Sequence, residues 1–127
     1  MKKSLLILFV LLFSTTVFSQ SISKRVTDFN LEKKVAIQGY DPVAYFVQKK
    51  AVKGKSTLVS TYDGVVFYFS SQANKDLFLK NPSSYEPQYG GWCAFAMGDY
   101  GEKVEINPET FKIIDGKLYL FYNAFFN

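Results

Sequence analysis

Two Asp-Gly pairs, Asp63-Gly64 and Asp115-Gly116, limit what this chain can fold into more than any other feature. Each sits between runs rich in β-branched and aromatic residues: Ser56 to Tyr62 and Val65 to Ser70 around the first, Phe111 to Ile114 and Leu118 to Tyr122 around the second. Asp-Gly tolerates the positive φ that a two-residue hairpin turn demands, so two antiparallel hairpins are predicted. Val65-Val66-Phe67-Tyr68-Phe69 has the density of a strand covered on both faces.

The punctuation between the hairpins predicts short helices. Ser70 or Ser71 can cap a helix running to about Lys80, with Ala73, Leu77, Phe78 and Leu79 on its inner side, and Asn81-Pro82 ends it because the residue before proline is pushed out of helical geometry. Upstream, a short strand is predicted at Val35 to Gln38. In Gly39-Tyr40-Asp41-Pro42, Asp41 can cap amides and Pro42 suits a first helical position, which starts a helix over Val43 to Lys49. Pro87 and Gly90-Gly91 mark a turn-rich passage before Trp92 to Met97, where small Ala94 and Ala96 favour a close-packed helix closed by Gly98 and Gly101. The expected fold is α+β: a small antiparallel sheet built from the two hairpins, with two or three short helices and no parallel crossover.

The N-terminus carries a different signal. Met1-Lys2-Lys3 is basic, Leu5 to Phe13 is unbroken Leu, Ile, Val or Phe, and Val17-Phe18-Ser19 follows, which is the order of a secretory signal. The apolar run falls short of the roughly 20 residues that span a bilayer. The expectation is a signal peptide over residues 1–19, cut between Ser19 and Gln20, a periplasmic or secreted product and no stable membrane span. Residues 20–34 read as a polar leader packing on the domain, 35–123 as the domain itself, and 124–127 as an apolar end that is either shortened or docks its two Phe rings on the core or a partner. Cleavage would leave 13 basic against 11 acidic residues. That balance and the scattered basic pairs argue against a nucleic-acid partner.

The chain has one cysteine, Cys93, and no histidine. No internal disulfide can staple the fold, so packing must hold it, and the aromatic side chains supply the area. Without imidazole there is no Ser-His or Cys-His pair and no His-based metal site. No catalytic set is complete, and an enzyme is not expected. Glu102 and Glu105 read as solvated. Tyr40, Tyr45 and Tyr68 read as packing residues with a hydrogen-bonded tip.

Gly39-Tyr40-Asp41-Pro42-Val43-Ala44-Tyr45-Phe46, then Tyr68-Phe69-Ser70-Ser71 with Phe78 and Asn81-Pro82-Ser83-Ser84-Tyr85, then Tyr89-Gly90-Gly91-Trp92-Cys93-Ala94 resemble the YHS domain, in the exported subgroup of that family, over about residues 35–123. Metal-linked members carry cysteines where this chain has Ala44, Ser70 and Ala73 or Asn74. The resemblance implies a binding module that takes a transition metal or a small molecule near Cys93, the one soft donor, with Tyr40, Asp41, Tyr89 and Trp92 sharing its pocket. Each has a competing structural reading: Cys93 as a small buried hydrophobe, Asp41 as a helix cap. The alternatives are an interaction domain with a decayed pocket that docks on a cell-envelope protein, and a thiol-redox protein using Cys93.

Overall fold

The structure, a computed structural model, describes residues 21–22 and 24–122. The expected signal over 1–19 and the apolar end over 124–127 lie outside these residues.

Both Asp-Gly pairs turn hairpins. Asp63 and Gly64 have φ of 45° and 84°, and Asp115 and Gly116 have 52° and 72°, the double positive φ of a turn that matches strand twist. The first hairpin joins β3 (Lys55–Tyr62) to β4 (Val65–Phe69), and the second joins β5 (Asn107–Ile114) to β6 (Lys117–Phe121). The α+β class is as expected, but the hairpins do not share a sheet. β4 lies inside a four-stranded sheet of order β1-β2-β4-β3, whose other members are the two-residue strands β1 (Leu31–Glu32) and β2 (Val35–Ala36), while β5 and β6 pair only with each other. β2 meets β4 in parallel through Val35 and Val66. This pairing was not expected, and a strand two residues long carries no periodicity that could announce it.

Along β4 the burial alternates: Val65, Phe67 and Phe69 are buried, Val66 and Tyr68 only half so. One face therefore makes the core and the other is partly open, in place of the double cover predicted. Onto the buried face packs α3 (Gln72–Lys80), capped as expected by Ser71, whose side chain accepts a hydrogen bond from the Asn74 N–H. Phe78 enters the core between Phe67 and Phe69, with ring centroids 4.8 and 5.1 Å away. Its helix neighbours are rotated from the expected arc: Ala73 and Leu79 face solvent, and Asn74 is buried.

The core is closed from the other side by Leu118 and Leu120 of β6, with Cys93 and Ala96 from the region of α5 (Ala94–Asp99), which follows the single-turn α4 (Pro82–Tyr85). A short α2 (Ala44–Val47) buries Tyr45, whose hydroxyl donates to the Pro108 carbonyl at 2.7 Å. Burial pushes that phenol far above the ordinary tyrosine range. Gly54 allows the approach of the 52–54 segment to β4: a Cβ there would lie 2.6 Å from the Tyr68 carbonyl carbon.

The leader is more structured than its composition suggests. Residues 24–28 are helical (α1). Ile22 and Val26 cap the first hairpin turn so closely that a Cβ on Gly64 would meet their methyl groups at 2.9 and 2.8 Å.

Candidate functional site

The five residues singled out from the sequence fall into three places. Asp41 is fully buried, and five donors converge on its carboxylate. Oδ1 accepts the Val43 and Ala44 N–H groups at 2.8 and 3.2 Å. Oδ2 accepts the Ser70 N–H at 2.8 Å, the Ser70 hydroxyl at 2.7 Å and Asn74 Nδ2 at 2.8 Å. Asp41 thus caps α2 as the sequence suggested and also ties it to the β4–α3 junction. This accounts for the buried Asn74: the position supplies a donor that alanine could not. Tyr40 is half-buried beside this network in an isolated bridge with Lys53.

Cys93 is 4% exposed and belongs to the hydrophobic core. Its N–H donates to the Val104 carbonyl and its carbonyl receives the Met97 N–H, so its backbone begins α5 while its thiol packs inward among apolar residues.

Tyr89 and Trp92 lie elsewhere again, in an open cleft of about 430 Å³ between the leader and the Tyr89–Met97 segment. Phe29, Tyr89, Trp92 and Met97 give it apolar walls, and Arg25, Asp28 and Lys103 set charges around them. A turn at Gln88–Gly91 builds one wall by holding Tyr89 and Gly90 at φ of 56° and 61°. There the Gly90 carbonyl receives the Asn30 N–H at 2.9 Å, and a Cβ on Gly90 would press on Phe29 Cα at 3.3 Å. The Trp92 indole N–H donates to the Asp28 carbonyl at 2.7 Å, pinning the ring to the leader. The Tyr89 hydroxyl makes no hydrogen bond among the described residues.

The charges form two clusters. Arg25 stacks over Phe29 and Tyr62, with its guanidinium carbon 4.8 and 5.4 Å from the centroids, donates to the Asp63 carbonyl at 3.2 Å and pairs with Glu86. Asp28 pairs with Lys24 at 3.1 Å and Lys103 at 3.4 Å, and those two lysines, Lys24 foremost, hold its carboxyl below the usual range. Burial pushes Glu86 above its ordinary range, against the pull of Arg25.

Arg25→Met should cost about 1–3 kcal/mol by leaving Glu86 sheltered without its cation. Loss of the guanidinium raises the folded-state pKa of Glu86 further. The cost is therefore smallest where Glu86 is protonated in both folded and unfolded states, and grows as pH rises through the folded-state value. Urea titrations of both proteins across the acid range, compared by midpoint, measure this; a pH-independent difference would contradict it.

Arg25, Phe29, Met97 and Lys103 were not singled out from the sequence. Arg25 and Phe29 stand more than 60 residues from Met97 and Lys103 in the chain, and the one local hint was the apolar spacing of Ile22, Val26 and Phe29 within the leader.

Residues 43–89 match the YHS domain family. The chain carries a YHS domain. No curated protein and no solved structure matches it. Of the residues lining the cleft, Tyr89 alone falls inside the matched span, so the flanks of the YHS domain build this feature.

The residues present do not fit the soft-metal site of metal-linked family members. Ala44, Ser70 and Ala73 or Asn74 stand where the resemblance places thiolates, and Ala44, Ser70 and Asn74 converge on Asp41, whose two oxygens are already engaged by five donors. Among the described residues no three His, Cys, Asp or Glu side chains group as metal ligands. Cys93, a single buried thiol, cannot make such a set. No described helix is long and apolar enough to cross a membrane.

Proposed function

We propose that this protein is a binding module of the cell exterior that takes a small, largely apolar molecule in the cleft between the leader and the Tyr89–Met97 segment. The cleft itself carries the reading. Three aromatic rings and a thioether converge with a few polar groups around about 430 Å³, within the range of small-molecule sites. Burial of Cys93 in the core argues against the thiol-redox alternative, since a reactive thiol needs access. The export signal read at residues 1–19 supports the exterior location, and cleavage after Ser19 would start the mature chain one residue before the described leader.

Trp92 is the single tryptophan, so its indole N–H gives one resonance in a ¹H–¹⁵N spectrum and reports the cleft directly. Titration of residues 20–127 with 2-naphthamide, a neutral flat probe, should shift that resonance saturably. Cys93→Ala should leave the titration unchanged, and Phe29→Asp should abolish it while the remaining spectrum stays dispersed. A resonance indifferent to the probe, or binding lost with Cys93, would overturn the reading.

A further inference from the structure

We propose that the cleft selects flat aromatic anions and that Lys103 is the residue that reads the charge; this rests on the binding reading above. Trp92 has committed its N–H to the Asp28 carbonyl. What it has left to offer a ligand is π surface, as do Phe29 and Tyr89, while Met97 adds a polarisable sulfur suited to ring edges. The walls therefore favour a planar aromatic body over an aliphatic one.

The charges choose the sign. Arg25 is held by Glu86 and by the Asp63 carbonyl, so it lends positive potential without being free to move. Among the described residues Lys103 is held by Asp28 alone, at 3.4 Å, with its ammonium 5.9 Å from the Trp92 ring centroid. It can turn from Asp28 to a bound anion at little cost, because Asp28 keeps its shorter bridge to Lys24 at 3.1 Å and no charge is stranded. A cationic ligand has the opposite problem. It must displace two lysines from Asp28 while facing Arg25 and Lys103. The Tyr89 hydroxyl, uncommitted among the described residues, adds a donor for an anionic oxygen.

The test compares three probes by the Trp92 indole resonance: 2-naphthoate, neutral 2-naphthamide and non-aromatic cyclohexanecarboxylate. Naphthoate should bind about tenfold more tightly than the amide, as one charge-assisted hydrogen bond provides, and cyclohexanecarboxylate most weakly. Lys103→Gln, at an exposed position that leaves the fold intact, should bring naphthoate down to the amide. Raising the salt to 0.5 M should narrow the gap. Equal affinity for naphthoate and amide would overturn charge selection, and a gap that survives Lys103→Gln would overturn the role of Lys103; either result leaves the binding reading standing. Cyclohexanecarboxylate binding as tightly as naphthoate would overturn the aromatic requirement. If none of the three moves the resonance, the binding reading falls and this inference with it.

Discussion

Asp41→Ala is expected to destabilise the protein by at least about 3 kcal/mol, enough to unfold much of a marginal domain. The substitution removes one carboxylate and leaves five donors facing the gap, three of them backbone N–H groups. An unsatisfied buried donor costs about 1–3 kcal/mol, and the residue is wholly shielded from solvent. Entering water can relieve part of this but cannot reproduce a charge reaching donors on three elements. Asp41→Asn isolates the network from the cavity: its shape is retained, but an NH₂ group must face Ser70 and Asn74, which are themselves donors. Adding Asn74→Asp should recover part of that loss by restoring an acceptor opposite. Urea midpoints of the three variants decide the matter. If Asp41→Asn matched the parent, the donors would not be what the carboxylate serves.

Phe78→Ala should cost about 3–5 kcal/mol, the usual range for emptying a buried aromatic site. The ring is fully buried and packs closely on Phe67 and Phe69, with the Tyr62 and Tyr85 ring centroids at 6.3 and 6.5 Å. Those neighbours are large and rooted in β3, β4 and the segment after α3, so they cannot collapse together to fill the space. The next residue is the control: Leu79 is 53% exposed, and Leu79→Ala should change stability by no more than about 0.5 kcal/mol. Chemical denaturation with unchanged slope would show that both effects act on the folded state. Similar costs at the two positions would place the inner face of α3 wrongly.

Local chemistry made part of this fold legible. Asp-Gly pairs between apolar runs set both hairpins, and Ser71 with Asn81-Pro82 bounded α3, because turn and cap residues act over a few positions. Pairing across long separations was not legible. Nothing near Val35 or Val66 says that they lie side by side, or that the second hairpin forms its own sheet. Asn74 shows how a distant group overrides a local pattern: helical spacing favoured Ala73 for the interior, and a carboxylate 33 residues away required a donor instead. The candidate site divides the same way. Tyr89 and Trp92 stand close in sequence and share the cleft, while Arg25 and Phe29 reach it only through the folding of the leader.

The placement of β6 has a practical consequence for anyone cutting this protein into pieces. Leu118 and Leu120 are fully buried, as are Ala36 and nearly so Ile37 on the other flank, yet all four lie outside the stretch by which the family is recognised. A fragment spanning only residues 43–89 would expose Phe67, Phe69 and Phe78 to water and should aggregate or stay unfolded. The unit that sequence comparison recognises is smaller than the unit that folds.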